Sequence, residues 1–303
     1  MKLTISICTY NRNESLINCV KSINKLVKPY IFKIDIIIID NSKNFDVLKI
    51  KKKLLKISKY KITILNEKKR GIVNARNKFL NKVKNIIPNY ICFFDDDCII
   101  DKYWLINACK ITKNYKADIV TGPQIYLKNK LKNNLVNYSK FFEKKYNYNI
   151  CSVQWAASNN VFLKYSIFKK NKILFDIKLN KFGIGEDQLF FSTLKKKGYS
   201  IYWSKKVKVY EKSHPHRTNL IWLIKRSFRL GVLGHYIDKK MYGIIMGYNL
   251  NYFKSFYYLL KSTIFIFAIF NKNSRINAVN FFSRFIGRLF GPFIFNKIDF
   301  LKR

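Results

Sequence analysis

Alternation of short apolar runs with amphipathic segments is the feature that most constrains the fold. Apolar or β-branched runs predict strands at residues 3–8, 34–39, 61–65 and 90–94,. Helical spacing of apolar residues predicts helices at residues 14–26, 49–56 and 71–83,. Strand, helix and strand in succession are typical of a parallel sheet with crossover helices. The sequence therefore predicts an α/β domain.

Polar segments follow three of the predicted strands. They are residues 9–11, 40–42 and 95–97. In open parallel α/β sheets, ligands bind at the carboxyl ends of the strands. We therefore expect the three segments to meet at one edge and to line a shared cleft.

Three consecutive aspartates, Asp95, Asp96 and Asp97, end the last of these strands in a chain that is poor in acidic residues. The chain has 59 Lys and Arg against 17 Asp and Glu. Adjacent carboxylates repel unless a cation or hydrogen-bond donors compensate them. The D-x-D spacing of Asp95 and Asp97 suits Mn²⁺ or Mg²⁺ held together with substrate phosphates. The alternative is a solvated acidic loop.

A second acidic pair, Glu186 and Asp187, follows a Gly-rich loop and begins a predicted helix. A helix N-terminus stabilises negative charge, and Asp is also a common capping residue. Capping alone would explain the pair. Combined with an aspartate-lined cleft, it offers a carboxylate that could act as a general base.

The formal net charge of +42 indicates an anionic partner: nucleic acid, an acidic membrane surface or a phosphorylated substrate,. A coding bias that places lysine at exposed sites is the alternative explanation. The six cysteines form no CxxC pair and predict small buried side chains in a reducing compartment,. The start of the chain turns polar too early for a signal peptide. Neither a zinc-site spacing nor a Gly-rich phosphate loop is present,.

From Asn219 onward the sequence is aromatic, apolar and basic, and only Asp238 and Asp299 are acidic. The most apolar run, residues 262–270, is too short to span a bilayer alone. Aromatic residues alternate with Arg284 and Arg288, which predicts helices in a membrane interface with basic side chains reaching the headgroups. A buried helical subdomain is the alternative.

The ordered motifs SICTYNRNESL, IIIIDNS, RGIVNARN, FFDDDCI, ASNNVF and GEDQLFFSTLKKKGY resemble the family-two glycosyltransferases of the GT-A fold. The resemblance covers residues 2–217. It implies a Rossmann-like α/β mixed sheet flanked by helices, a nucleotide-diphosphate sugar donor, Mn²⁺ or Mg²⁺, and inversion at the anomeric carbon. We then expect a donor-binding half at 1–100, an acceptor-binding half at 101–218, and a helical, membrane-associated extension at 219–303.

The resemblance also implies donor-binding residues, position by position. Thr9 and Asp40 would contact the nucleobase end of the donor. Arg70 and Arg76 would sit near the nucleotide or buttress the aspartates. Asp95 would touch the ribose, with Asp96 also among the donor-binding residues.

The remaining positions implied by the resemblance concern the metal, the acceptor and catalysis. Asp97 would bind the metal, and Asn160 occupies the acceptor-side asparagine position of the family. Asp187 would deprotonate the acceptor hydroxyl, while Glu186 would orient substrate.

One position departs from the family pattern. Where many members carry a metal-binding histidine, this chain has Glu211, and His214 lies three residues further on. A carboxylate can replace imidazole on Mn²⁺ or Mg²⁺. Residues 211–231 also resemble a subgroup that builds bacterial exopolysaccharides on lipid-linked acceptors, in which a glutamate is common here. This resemblance favours Glu211 over His214.

The sequence therefore predicts a metal-dependent, inverting glycosyltransferase of surface polysaccharide synthesis at the cytoplasmic face of the plasma membrane, peripheral or monotopic. A nucleotidyltransferase of sugar activation is the same-fold alternative, but the expected phosphate-binding Gly-rich loop is missing. A basic nucleic-acid-binding protein is the non-enzyme alternative. Three aspartates in the cleft argue against it, because they would repel phosphate in the absence of a metal.

Overall fold

The computed structural model describes residues 1–127, 148–171, 173–212, 219–267 and 272–300. The chain divides into two compact units. The first comprises residues 1–126 and 145–212, and the second comprises residues 127–144 and 213–303. The expected division of the first part of the chain into donor and acceptor halves at residue 100 stays a prediction.

Strands and helices alternate through the first unit. Its strands are β1 (Lys2–Thr9), β2 (Lys33–Asp40), β3 (Lys61–Asn66), β4 (Tyr90–Asp95), β5 (Cys98–Ile100), β6 (Ile119–Thr121), β7 (Gln124–Leu127), β8 (Ile150–Ser152), β9 (Asn160–Lys164), β10 (Ile201–Ser204) and β11 (Val209–Lys212). Its helices are α1 (Asn13–Ile23), α2 (Lys51–Ile57), α3 (Ile72–Val83), α4 (Trp104–Asn114), α5 (Ser166–Lys170) and α6 (Glu186–Lys196). The strands and helices expected in the first hundred residues are confirmed.

A mixed sheet in the order β3–β2–β1–β4–β9–β6–β10–β8 forms the centre of this unit. β1 pairs in parallel with β2 and β4, and β2 pairs in parallel with β3, so the predicted parallel arrangement is confirmed. β9 runs antiparallel to both β4 and β6, which makes the sheet mixed. A smaller sheet, β5–β11–β7, begins directly after the three aspartates.

Apolar side chains cover both faces of the large sheet. Ile36 and Ile38 of β2 join one layer, whereas Ile37 and Ile39 join the other, because successive side chains point to opposite faces,. Helices α1, α2 and α4 complete the first layer. Helices α3 and α6 complete the second. Cover on both faces explains the unbroken isoleucine run of β2.

The register of the parallel strands brings the three polar segments together. Thr9 at the end of β1 lies opposite Asp40 at the end of β2. On the other side of β1, Cys8 lies opposite Asp95 at the end of β4. The segments therefore meet at one edge of the sheet, as the sequence predicts.

Three long helices form the described part of the second unit: α7 (Leu220–Tyr242), α8 (Ile244–Phe267) and α9 (Lys272–Ile294). Asn219 caps α7, because its side-chain oxygen accepts a hydrogen bond from the backbone N–H of Trp222 at 2.7 Å,. Helices α7 and α9 approach closely at Gly231 and Gly287, where a Cβ on either residue would overlap with the backbone of the other helix. The glycines therefore allow the two helices to pack backbone to backbone.

A buried ion pair lies among these helices. Arg288 is 7% exposed, and its Nη1 donates hydrogen bonds to Asp238 Oδ2 at 2.8 Å and to Asn251 Oδ1 at 3.0 Å. Lys254 Nζ donates to the other oxygen of Asp238 at 2.6 Å. The expectation that Arg288 reaches lipid headgroups is therefore wrong, because Asp238 pairs with it inside the unit.

In the parts of the chain that the structure describes, no helix is both long enough and apolar enough to cross a bilayer. Large apolar side chains are nevertheless exposed on the second unit. Ile245 is 79% exposed and Phe253 is 71% exposed, both on α8.

Candidate active site

Arg76 of α3 links two acidic segments of the candidate site. Its side chain is buried, its Nη2 donates a hydrogen bond to Asp95 Oδ1 at 3.2 Å, and its Nη1 forms a short hydrogen bond with Glu186 Oε1. Burial by itself lowers the pKa of Arg76, but Glu186 and Asp95 raise it above its ordinary value,. Of the two roles expected for Arg76, these contacts match that of buttressing the aspartates.

Glu186 and Asp187 form the first turn of α6, which follows Gly185 in a left-handed conformation. Glu186 is buried, and its Oε2 has no hydrogen-bond partner in the structure. Burial raises the pKa of Glu186, Arg76 lowers it, and the neighbouring Asp187 raises it further. Asp187 itself is only half-buried. Asp187 is therefore the more accessible of the two carboxylates.

Arg12, in the loop after β1, contacts two of the three aspartates. Its Nη1 donates hydrogen bonds to Asp97 Oδ2 at 2.8 Å and to Asp96 Oδ1 at 3.1 Å. Thr9 Oγ1 donates to the other oxygen of Asp96 at 2.7 Å. Burial raises the pKa of Asp96 to about 6, although Arg12 and Thr9 oppose this shift. Asp96 therefore joins the loop after β1 to the turn that contains Asp95, Asp96 and Asp97, here called the aspartate turn.

Sequence reasoning did not single out Arg12. The one available signal was its position, directly after the polar segment at residues 9–11 that was expected to meet the aspartates. A cation in that loop is the simplest way to compensate a cluster of like charges.

The side chain of Asp40 shapes the turn after β2. It is fully buried, and its two oxygens each accept a backbone N–H at 2.8 Å, from Ser42 and from Val47. Arg70 is exposed, with its guanidinium carbon 5.6 Å from the centre of the Tyr10 ring. The expected contacts of Thr9, Asp40 and Arg70 with the donor stay predictions.

Glu211 lies beside the aspartate turn. It is on β11, directly opposite Cys98, the residue that follows Asp97. Its carboxylate is buried and accepts a short hydrogen bond from the Gln124 amide, another residue that sequence reasoning missed. Burial raises the pKa of the Cys98 thiol well above its ordinary value, and Asp95, Asp97 and Glu211 raise it further. The carboxylates of Asp95, Asp97 and Glu211 therefore all lie near Cys98. The alternative metal ligand, His214, lies outside the described residues.

Asn160 occupies a buried position at the start of β9. Its side-chain oxygen accepts a hydrogen bond from the Trp104 indole at 2.7 Å, and its amide donates to the carbonyls of Val207 and Pro123 at 2.8 and 3.2 Å. An acceptor could reach this amide only if those hydrogen bonds were broken.

Among the described residues, the carboxylates at this edge of the first unit outnumber the arginines that contact them. The carboxylates that surround it are those of Asp95, Asp96, Asp97, Glu186, Asp187 and Glu211, and the arginines that contact them are Arg12 and Arg76. Within the described residues, no group of three His, Cys, Asp or Glu side chains forms a ready-made metal cage. A Mn²⁺ or Mg²⁺ site still fits, since these ions are often held by one or two carboxylates together with substrate phosphates.

Comparison with known proteins identifies the family. Residues 4–172, more than half of the chain, match the profile of glycosyl transferase family 2. The chain belongs to this family. It is also 24% identical over 271 residues to the succinoglycan biosynthesis protein ExoM of Rhizobium meliloti, covering 82% of this chain and 80% of ExoM.

Solved structures share the fold. The mannosyltransferase PcManGT of Pyrobaculum calidifontis, bound to GDP-Man and Mn²⁺, superposes with a TM-score of 0.61 at 13% identity, over 96% of this chain and 87% of PcManGT. TarS (1–349) of S. aureus, bound to UDP, gives a TM-score of 0.53 at 17% identity, over 80% of this chain and 70% of TarS.

The family and the fold together decide between the alternatives. The expected GT-A fold is confirmed, and the protein is a glycosyltransferase. The nucleotidyltransferase and the nucleic-acid-binding protein are set aside, because members of this family are glycosyltransferases.

Replacing Arg76 tests whether its guanidinium holds the site together. We expect Arg76→Met to lower the free energy of unfolding by about 3–5 kcal/mol, because two carboxylates lose their buried cation. The measurement is urea unfolding at pH 7 in a Trp222→Phe background, so that tryptophan fluorescence reports the first unit. The exposed Arg70→Met is the matched control and should change stability by about 0.5 kcal/mol or less. Equal effects of the two substitutions would contradict the bridging role.

Proposed function

We propose that this glycosyltransferase moves a sugar from a nucleoside diphosphate donor, with inversion, to a hydroxyl of a lipid-linked glycan during surface polysaccharide synthesis. The observation that carries the proposal is the single edge at which Asp187 and the Asp95–Asp97 turn meet, bridged by Arg76 and Glu186. ExoM is named for succinoglycan biosynthesis. TarS has been crystallised with UDP-GlcNAc, and PcManGT with GDP-Man. These names support the substrate class.

Asp187 is the proposed general base. Its half-buried carboxylate takes the proton from the acceptor hydroxyl as that oxygen bonds to the anomeric carbon and the bond to the diphosphate breaks on the opposite face,. Glu186, held by Arg76, is the proposed substrate-orienting residue, and its buried, unpartnered Oε2 is the atom that a substrate hydroxyl would meet once binding opens a path to it. Binding both substrates at one edge would hold the acceptor hydroxyl in position to attack the anomeric carbon, which lowers the entropic part of the activation barrier.

Thr9, Asp40, Arg70, Asp95 and Asp96 are the proposed donor-binding residues. Asp95 is about one-third exposed (34% of its side chain), which suits a contact with the ribose. The engaged side chains of Thr9 and Asp40 fix the loops that would flank the nucleobase. Arg70 is exposed and lies over Tyr10, where the two can enclose an aromatic base,.

Asp97 and Glu211 are the proposed metal-holding residues, with His214 as the alternative to Glu211. A bound Mn²⁺ or Mg²⁺ would supply neutralisation of the charge that builds on the leaving diphosphate. Arg12 contacts Asp97 and is about one-third exposed (35% of its side chain), so its guanidinium can turn from the carboxylate to the diphosphate.

Loss of the general base should lower the rate without lowering donor affinity. We expect Asp187→Asn to reduce kcat by about 10²- to 10⁴-fold, because an amide cannot accept the proton. The assay is release of nucleoside diphosphate from UDP- and GDP-sugars with Mn²⁺ and a membrane lipid extract as acceptor. Asp35→Asn, which alters the Lys2–Asp35 ion pair near the start of β2 and away from the site, is the control. Full activity of Asp187→Asn would remove Asp187 from this role.

Mn²⁺ affinity without nucleotide should respond in opposite directions to two substitutions. Asp97→Asn removes a ligand and should weaken binding, whereas Arg12→Gln removes a competing cation and should strengthen it by about tenfold. Electron paramagnetic resonance of free Mn²⁺ measures both. Arg70→Gln makes the same charge change away from the aspartates and should leave the affinity unchanged. Unchanged affinity in both Asp97→Asn and Arg12→Gln would place the metal elsewhere.

We also propose that the second unit holds the enzyme peripherally at the cytoplasmic face of the plasma membrane. Exposed apolar side chains lie on α8 among basic residues, and the unit has few acidic residues to repel anionic lipids,. Cysteines without disulfide bonds and a nucleotide-sugar donor suit the cytoplasm,.

Vesicle binding tests this localisation. We expect the full chain to sediment with phosphatidylglycerol-containing vesicles, and Ile245→Ser with Phe253→Ser to weaken binding about tenfold or more, because each substitution removes apolar surface that would enter the interface. Tyr30→Ser, fully exposed on the first unit, is the control and should have no effect. No sedimentation of the wild type, or equal sedimentation of the double variant, would contradict the proposal.

A further inference from the structure

An open apolar groove lies within the second unit. Its volume is about 790 Å³, and its wall is formed by side chains of α7, α8 and α9, including Ile224, Phe228, Phe265, Phe282 and Ile286. The volume is within the range of small-molecule sites, roughly 300–1,000 Å³. The wall is almost entirely apolar, so it suits a hydrocarbon rather than a sugar or a nucleotide.

The groove has a floor, which distinguishes it from a flat membrane-binding face. Ser262 and Ala278 line it and are 1% and 7% exposed. The Ser262 hydroxyl donates a hydrogen bond to the Ala278 carbonyl at 3.0 Å, so α8 and α9 are joined beneath the groove. A groove between packed helices can bind a single hydrocarbon chain. A bilayer surface instead contacts protruding side chains such as Ile245 and Phe253.

Two basic side chains stand at this apolar wall. Lys225 of α7 and Arg275 of α9 both line the groove and are exposed. Among the described residues, neither has a carboxylate within ion-pair distance. Asp238, one of two acidic residues after Asn219, is occupied by Arg288 and Lys254. The groove is therefore lined by the aliphatic stems of two basic side chains whose charged ends have no carboxylate partner among the described residues.

We propose that the groove binds the hydrocarbon chain of one phosphorylated long-chain lipid, the carrier of the acceptor glycan, with Lys225 and Arg275 at its phosphate or diphosphate. The inference rests on the proposed function, in which the acceptor is lipid-linked. Each buried methylene contributes about 0.8 kcal/mol. Lys and Arg both bind phosphate oxygens well, Arg through paired hydrogen bonds.

Binding of farnesyl diphosphate to the full-length protein tests the groove. We expect farnesyl diphosphate to bind at least about tenfold more tightly than farnesol or inorganic diphosphate. Farnesol lacks the diphosphate that the basic side chains would bind, and inorganic diphosphate lacks the hydrocarbon chain. The measurement is titration calorimetry below the micelle concentration of the lipid. Equal affinity for all three ligands, or no binding, would overturn the proposal.

Two variants separate the apolar wall from the charges. Ala278→Trp fills the groove and should weaken farnesyl diphosphate binding about tenfold or more. Lys225→Ala with Arg275→Ala, two exposed positions that leave the packing intact, should weaken it similarly while sparing farnesol. The control pair, Lys240→Ala with Lys297→Ala, makes the same charge change at exposed positions outside the groove and should bind as the wild type does. Wild-type affinity in both groove variants would overturn the proposal.

Vesicle sedimentation distinguishes the single lipid from the bilayer. With phosphatidylglycerol vesicles, Ala278→Trp should sediment as the wild type does, and Lys225→Ala with Arg275→Ala should sediment as the control pair does. A loss of sedimentation beyond that of the control pair would make the groove a bilayer contact and overturn the proposal.

Donor turnover separates this proposal from the proposed function. If nucleotide sugar is hydrolysed but farnesyl diphosphate does not bind, the groove assignment fails and sugar transfer stands. If the lipid binds at the groove but no nucleotide sugar is turned over, the proposed function fails.

Discussion

The buried guanidinium of Arg76 is the interaction on which the candidate site depends. It joins Asp95, at the end of a central strand, to Glu186, at the start of α6, residues that are far apart in the sequence. A buried charge that loses its partner costs several kcal/mol, so the three groups are stable only together. Asp187 follows Glu186 directly, at the helix start. The position of the proposed base is therefore set by an ion bridge that begins at the sheet.

The two arginines of the site compensate its carboxylates in different ways. Arg76 is buried and has fixed partners, whereas Arg12 is partly exposed and holds Asp96 and Asp97 from a loop. Among the described residues, the carboxylates still outnumber these two arginines, and a divalent cation would reduce that imbalance. Under the proposed function, the cation would bind together with the diphosphate of the nucleotide sugar. The negative charge of that diphosphate would then need a hydrogen-bond partner. Under the proposed function, Arg12 would contact the aspartates before the nucleotide sugar binds and the diphosphate afterwards.

Much of this arrangement could be predicted from the sequence, because it follows from the periodicity of apolar residues and from the scarcity of acidic residues. The isoleucine run of β2 requires cover on both faces, parallel strands bring their ends to one edge, and acidic residues in a basic chain mark that edge,. Arg12 could not be singled out among 59 basic residues without knowing where its loop ends. Arg288 was misjudged for a related reason, because its interleaved aromatic neighbours are also found at membrane surfaces. Only tertiary structure shows that Asp238 meets it.

The ion pair of Asp238 and Arg288 also occupies one of the few carboxylates of the second unit. Asp238 is engaged in the interior by Arg288 and Lys254, so it cannot neutralise the basic residues outside. Lys225 and Arg275 consequently stand beside apolar side chains without a counter-ion in the described chain. Water solvates such cations, but it solvates the adjoining apolar wall poorly. A ligand with an anionic end and a hydrocarbon end satisfies both requirements at once, which a purely polar glycan or a neutral hydrocarbon cannot do.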